Sequence, residues 1–245
     1  MTDIPVIFSG PMVRALLDGR KTMTRRLAWK SSRVAIAAAK CEPAIECRHG
    51  YDVCPTCDAP KLSPWQKVQP GDRLWVRETV KAVEDEDFDH CIHYEADHDL
   101  RVVTSNHDRE SEAFGNWWNL LAYRSDDPDL TGGKLVPPIH MPRWASRLTL
   151  VVTATKIERL QDISEADAIA EGVVKNEPSG NLLCTYVPGL PEVELRCADG
   201  VSAGLVFARL WRHLHGPESW DANPDVVALS FTVHKTNIDQ MKEPA

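Results

Sequence analysis

Lys21 and Thr24 carry side chains whose types and spacing could act together on an amide. A threonine hydroxyl is a poor nucleophile until a neighbouring base takes its proton. A lysine can be that base where burial or nearby cations lower its pKa, and Arg20, Arg25 and Arg26 supply such cations. In a helical or bulged turn the two side chains would meet, whereas in a regular strand they would face opposite sides. The alternative interpretation is a solvated basic face without chemistry.

Glu171 occupies an unusual position for a carboxylate. It comes just before Gly172, at the predicted end of a helix for which Ser164 is the candidate N-cap. The helix dipole disfavours a negative charge at this end by about 0.3–1 kcal/mol. A carboxylate that is placed against the helix dipole is a candidate for function. Glu171 is therefore interpreted as a proton shuttle, with an ordinary exposed glutamate as the alternative.

Several arginines and tryptophans are candidates for ligand binding. A planar guanidinium offers a donor fork to phosphate or to a base, and an indole ring can stack on a base. The candidate substrate-binding residues are Arg26, Arg77, Arg143, Arg147 and Trp75. Trp144 and Trp220 could also stack, although burial in the core is the alternative for each tryptophan. Glu78 could pair with Arg26 or Lys21.

Four of the seven cysteines fall within seventeen residues: Cys41, Cys47, Cys54 and Cys57. Cys54 and Cys57 form a C-x-x-C knuckle, which is a good half-site for tetrahedral zinc. The other two are more widely spaced, and His49 could replace one of them. Four protein ligands leave no open position, so we expect a structural zinc ion, with free thiols in a loop as the alternative. We expect no organic cofactor.

Charge is distributed unevenly over the 245 residues, whose net charge is −8. Residues 14–33 carry +6, whereas residues 84–113 carry −9. A protein that coats nucleic acid non-specifically needs a broad positive field, so that class is excluded. A small basic site on an acidic body favours one anionic or nucleotide-sized ligand. The N-terminus lacks a signal pattern and no apolar run reaches ~18 residues, so we expect a cytoplasmic protein without a membrane partner.

The elements that must position these residues are short strands mixed with helices. Apolar patterning predicts strands within 4–8, 73–79, 91–94, 147–155 and 226–233, and helices within 11–18, 164–171 and 201–214. There is no βαβ rhythm and no glycine-rich phosphate loop. The sequence therefore predicts an α+β fold, a small mixed β-barrel with peripheral helices. We expect one domain over 1–245, with insertions at about 31–64 (the cysteine cluster), 98–135 (an irregular acidic loop) and 175–204. The histidines of the acidic region, among them His93 and His98, are interpreted as solvated rather than metal-bound.

Residues 19–26, Gly-Arg-Lys-Thr-Met-Thr-Arg-Arg, resemble the G-x-K-x-x-T-x-R signature of ASCH domains, a group of PUA-like β-barrels. Residues 70–78 resemble the PGD-strand element of the same family. Residues 140–147, 163–173 and 210–224 are similar to its long phage- and prophage-type members. The resemblance covers about 150 residues in pieces spread along the whole chain.

The resemblance implies a nucleoside-directed function. Similar small bacterial members are amidohydrolases that remove the acyl group from N4-acetylcytidine, and other relatives are linked to RNA binding or cleavage. The amidohydrolases use a lysine and a threonine of the signature and a glutamate at the end of a later helix, which fall on Lys21, Thr24 and Glu171; the final arginine falls on Arg26. The expected function is hydrolysis of the amide of an N4-acylated cytosine nucleoside or a related modified pyrimidine. The alternative is a non-catalytic module that binds a nucleobase or RNA in the same basic cleft.

Overall fold

The structure is a computed structural model that describes residues 2–30, 61–123, 133–175, 183–193, 195–197 and 202–241. The cysteine cluster and most of the first predicted insertion lie outside the described residues, so the predicted zinc site stays a prediction. The described strands are β1 (Asp3–Ile7), β2 (Met23–Leu27), β3 (Trp29–Lys30), β4 (Lys61–Leu62), β5 (Arg73–Arg77), β6 (Val80–Glu84), β7 (His90–Tyr94), β8 (Asp99–Thr104), β9 (Thr149–Arg159), β10 (Val174–Lys175), β11 (Leu183–Tyr186), β12 (Leu195–Cys197) and β13 (Asp225–His234). The described helices of at least one and a half turns are α1 (Gly10–Leu17), α2 (Glu112–Leu121), α3 (Glu165–Ala170) and α4 (Ala203–His215).

The main sheet has five strands in the order β1-β5-β9-β13-β2. β1 and β5 run parallel, and the other neighbours are antiparallel. The predicted α+β class is confirmed. Among the described residues, no backbone pairing joins the edge strands β1 and β2, so the sheet is not a closed barrel there.

Helices α1, α3 and α4 pack on this sheet through apolar faces. Met12, Val13 and Leu16 of α1 lie in the same core cluster as Phe207 and Trp211 of α4. Side-chain caps begin two of these three helices, α3 and α4: the Ser164 hydroxyl accepts from the Asp167 amide at 3.1 Å, and the Ser202 hydroxyl accepts from the Leu205 amide at 3.1 Å. The cap predicted at Ser164 is therefore confirmed.

A second sheet, β6-β7-β8, carries its own apolar cluster with α2. The prediction that 98–135 is irregular is wrong, because the region contains β8 and α2. Trp117, Leu120 and Leu121 are buried at helical spacing, and Ser111 caps the helix. The surrounding Asp, Asn and Ser residues hide this pattern in the sequence.

The region 175–204, predicted to be a loop, contains strands β11 and β12, which complete a three-stranded sheet with β10. These strands have two to four residues each, too few for an alternating pattern to be visible in the sequence. Within the described parts of the chain, no helix is both long enough and apolar enough to cross a membrane.

Candidate active site

A buried ion pair joins the turn before β2 to the end of α3. The Lys21 ammonium donates to the Glu171 carboxylate at 2.6 Å and to the Glu171 carbonyl oxygen at 3.0 Å. Lys21 is 2% exposed and Glu171 is 3% exposed. The lysine thus neutralises the carboxylate and also satisfies a carbonyl at the helix end, which offsets the unfavourable dipole interaction expected for Glu171.

Two glycine turns bring these residues together. Gly19 has a φ of 72°, in the left-handed region that favours glycine, and after it the Lys21 amide donates back to the Ala15 carbonyl. Gly172, at φ 105°, ends α3 so closely against α1 that a Cβ there would lie 3.3 Å from the Cβ of Ala15. The Thr22 amide donates to the Ala170 carbonyl at 2.8 Å, which fixes the start of β2 to the end of α3.

Arg25 binds the Glu171 carboxylate of this ion pair and two further carboxylates. Its guanidinium donates to the carboxylates of Glu158 at 2.7 Å, Asp167 at 2.8 Å and Glu171 at 3.3 Å. All of these contacts use a guanidinium whose side chain is fully buried. Arg25 binds Glu171 Oε1 while Lys21 binds Oε2, so the two cations together fix the orientation of the carboxylate.

Thr24 lies on the wall of a cavity that Lys21 and Glu171 also line. Because Lys21 precedes β2, the alternation of side chains along a strand does not separate it from Thr24, and both residues line the same cavity. The cavity and the open solvent at its mouth together occupy about 390 Å³. Its other walls are Phe8, Met12, Arg25, Arg26, Phe207, Leu210, Trp211, Leu214 and His215.

Burial is the main cause that lowers the pKa of Lys21. Glu171 opposes this change, while the cations of Arg26 and Arg25 add to it. Burial likewise lowers the pKa of His215, and Arg26 adds to this effect. The cavity thus disfavours additional positive charge, as a lysine that acts as a base requires.

Two buried donors on the cavity wall have no acceptor within the described part of the chain: Arg26 Nε and Trp211 Nε1. A second nitrogen of the Arg26 guanidinium donates to the Ile7 carbonyl at 2.8 Å, which holds the group in place over Phe8. A buried unsatisfied donor costs about 1–3 kcal/mol, so an acceptor atom of a ligand or of water would be stabilised at each of these two donors.

The structure places the other predicted binding residues away from this cavity. Arg77 donates to the Met141 carbonyl at 3.0 Å and stacks over Trp75, which is itself mostly buried. Arg143 bridges Asp3 and Asp239. Of the five candidate binding residues, Arg26 lies on the cavity wall.

Arg147 is 1% exposed and binds Glu78 through two hydrogen bonds of 2.9 and 2.8 Å. It also contacts the carboxylates of Asp97 at 2.7 Å and Asp99 at 3.2 Å. Glu78 thus pairs with Arg147 rather than with Arg26 or Lys21, the two partners expected from the sequence.

Sequence reasoning missed the contribution of α4. Trp211 and His215 are four residues apart and their rings lie 4.1 Å apart between centroids, on the helix face that closes the cavity. The apolar periodicity predicts helix α4 and its buried face. It does not predict that α4 packs beside β2, because that position depends on tertiary structure. A tryptophan on a buried helix face was the available signal, since its indole N–H requires an acceptor.

Comparisons of the chain with family models, with curated proteins and with solved structures find no significant match.

Proposed function

We propose that the chain hydrolyses the amide of an N4-acylated cytosine nucleoside in the cavity lined by Lys21, Thr24 and Glu171. The observation that carries this proposal is the 2.6 Å contact between Lys21 Nζ and Glu171 Oε2, buried in the wall that Thr24 shares. Deacylation needs a base for the nucleophile and an acid for the leaving nitrogen, and the two residues together supply both.

The pair holds one proton that can move between its members. The reaction uses the neutral form of the pair, an amine on Lys21 and a proton on Glu171, which forms when the ammonium passes its proton across the 2.6 Å contact; burial, which lowers the pKa of Lys21, favours this transfer. In that form the amine accepts the proton of the Thr24 hydroxyl as its oxygen bonds to the acyl carbon. Glu171 gives its proton to the exocyclic nitrogen as the bond between that nitrogen and the acyl carbon breaks, which releases the deacylated cytidine.

Water then cleaves the acyl ester on Thr24. Its proton passes to the Glu171 carboxylate, the ammonium of Lys21 returns a proton to the Thr24 oxygen, and the acid is released. In a direct variant of the reaction, Thr24 positions the water that attacks the acyl carbon, and the same pair moves the protons. Both routes begin and end with one proton on the pair.

The unsatisfied donors fit this substrate. The acyl oxygen gains negative charge as the carbon becomes tetrahedral, and Arg26 Nε supplies it with a charged donor. Trp211 Nε1 donates to the carbonyl oxygen of the pyrimidine. Phe8 and Phe207 offer apolar ring surfaces to the base.

The fold adds support. Arg26 on β2 donates to the Ile7 carbonyl on β1, so a side chain bridges the two edges of the main sheet next to the cavity. We also propose that the main sheet curves into the PUA-like barrel that the ASCH resemblance implies.

The test is turnover of N4-acetylcytidine by the full chain, followed by chromatography of the released cytidine. Thr24→Val removes the hydroxyl at nearly constant shape and is expected to reduce the rate by about 10²-fold or more. The matched control is Thr232→Val, at an exposed threonine on β13, which should retain the rate. No turnover by the wild-type chain, alongside measurable oligonucleotide binding, would contradict the proposal and favour the non-catalytic binding module.

A further inference from the structure

Two histidines and a glutamate come together at the tip of the second sheet, away from the cavity. His93 lies near the end of β7, and Glu95 and His98 lie in the turn that leads into β8. One ligand atom from each of the three lies within 4.8 Å of the other two. His93 Nδ1 is 3.0 Å from the Glu95 carboxylate, and the two imidazole rings are 5.4 Å apart between centroids.

We propose that His93, Glu95 and His98 bind a zinc ion. Two imidazoles and one carboxylate are a donor set that Zn²⁺ takes, and three protein ligands leave a fourth position for water. Mixed nitrogen and oxygen donors without sulfur select against soft ions such as Cu(I), and the imidazoles select against Mg²⁺ and Ca²⁺.

Residues other than the three proposed ligands make the contacts that hold the backbone of this turn in place. Asp97 and Asp99, on either side of His98, both bind the buried guanidinium of Arg147. The Tyr94 hydroxyl donates to the Ala145 carbonyl at 2.8 Å, which fixes the strand end between His93 and Glu95. A site on a braced turn loses less conformational entropy when the metal binds.

His98 has a φ of 60°, in the left-handed region, and its amide donates to the Tyr94 carbonyl at 2.9 Å. A non-glycine residue there is uncommon, although histidine, asparagine and aspartate are enriched. Because of this turn, the His98 ring lies beside that of His93 at an angle of 30°.

The charge of the region favours a divalent cation. Residues 84–113 carry −9, and Asp97 and Asp99 lie next to the site. Three cations lie close to it: Lys81 is the β6 register partner of His93, Arg101 contacts Asp99 at 3.4 Å, and Arg147 is engaged by four carboxylate–guanidinium contacts with Asp97 and Glu78. We therefore expect an exchangeable ion rather than a permanently held one.

Zinc titration of the full chain tests the site, with Cys54→Ser and Cys57→Ser introduced together so that thiols do not compete. We expect one Zn²⁺ per chain, with an affinity that falls by about tenfold or more in His98→Asn. Asparagine tolerates the left-handed backbone, so this variant keeps the turn. The control is His107→Ala, at an exposed histidine of the same acidic region, which should bind zinc as before.

A second measurement does not depend on how the cysteine variant folds. In the wild-type chain, NMR signals of the His93 and His98 imidazoles should shift together when Zn²⁺ is added, while those of His107 should not. Equal zinc affinity in His98→Asn and its parent, or imidazole signals that ignore Zn²⁺, would overturn the proposal.

Discussion

At the scale of single residues, the site depends on the buried Lys21. Some features of its surroundings disfavour its positive charge, and one neighbour stabilises it. Desolvation and two neighbouring arginines lower the pKa of Lys21, and Glu171 counteracts them. The proposed reaction needs one proton on the pair: a second proton blocks the base, and loss of the first removes the acid. The apparent pKa values belong to the coupled pair rather than to either residue.

The proposed chemistry predicts a bell-shaped pH profile. Because the pKa of Lys21 is lowered from its ordinary 10.5, kcat/KM for N4-acetylcytidine should fall on the alkaline side at a pH below 10.5. Arg26→Gln removes a cation that lowers this pKa, so the alkaline limb should move to higher pH. Rates are measured after subtraction of uncatalysed hydrolysis. A profile without an alkaline limb below pH 10.5 would contradict this assignment.

The residues of the signature could be identified from the sequence because they are close in the chain, and Glu171 because a carboxylate at a helix end needs an explanation. The partners of these residues could not. Arg147 meets Glu78 across 69 positions, and Trp211 reaches the cavity only after α4 packs on the sheet. A guanidinium fork suits phosphate and carboxylate equally well, so the sequence could not separate a binding arginine from a structural one.

At the scale of elements, Arg147 joins the main sheet to the second one. It lies just before β9, and its partner Glu78 lies between β5 and β6. Asp97 lies in the turn before β8, and Asp99 is the first residue of β8. Its guanidinium also lies 4.0 Å from the centroid of the Tyr94 ring. Burial raises the pKa of Glu78, while the Arg147 guanidinium opposes that change.

We expect Arg147→Leu to lower the free energy of unfolding by about 3–5 kcal/mol, because Glu78 would remain buried without its cation. Urea unfolding followed by circular dichroism measures the change. Arg101→Leu is the matched control: its contact with Asp99 is exposed, so it should change the free energy by less than about 0.5 kcal/mol. Equal effects of the two variants would show that the Arg147 cluster does not join the sheets.

Two helix glycines should respond in opposite directions to alanine. Gly172→Ala should destabilise by about 1–3 kcal/mol, since its φ of 105° strains any residue with a Cβ and the new methyl group would lie 3.3 Å from the Cβ of Ala15. Gly115 lies exposed within α2 with nothing within 4 Å of an added Cβ, so Gly115→Ala should stabilise by about 0.5–1 kcal/mol. Thermal unfolding of both variants measures the two changes in stability. A stabilising Gly172→Ala would mean that the α3–β2 junction is looser than described.

At the scale of the whole molecule, the basic segment is less available to nucleic acid than its charge implies. Lys21 and Arg25 are neutralised by buried carboxylates, and Arg20 pairs with Asp18. Arg26 is the cation of this group whose free donor lies on the cavity wall. The net charge of −8 also opposes association with a polyanion.

Binding of a phosphate-bearing nucleotide should therefore depend weakly on salt. Each phosphate contact adds about 0.7 to 0.9 to the slope of log affinity against log salt, so a single pocket predicts a slope of about 1 to 2. Titrations at several salt concentrations measure it, with long single-stranded RNA as the comparison. If the slope of log affinity against log salt on RNA is several units and stays so in Arg26→Ala, the protein binds RNA along an extended groove rather than in a single pocket.

The sequence predicts the α+β class, the two longest described strands, β9 and β13, and the shorter β5, because these strands keep a clear apolar pattern. It does not predict which strands become neighbours. The order β1-β5-β9-β13-β2 places the first and last strands of the chain next to partners that are distant in sequence, and no local pattern encodes such pairings. The short strands β10 to β12 contain too few residues to show any periodicity.

The central claim is that Lys21 and Thr24 act as one catalytic unit, and a double-mutant cycle on kcat/KM for N4-acetylcytidine tests it most directly. Lys21→Met and Thr24→Val each interrupt the same proton transfer, so the double variant should be little slower than either single variant. Circular dichroism at the assay temperature verifies that each variant is folded. Modest losses that add in free energy would contradict the claim, because independent contributions indicate substrate binding rather than shared chemistry.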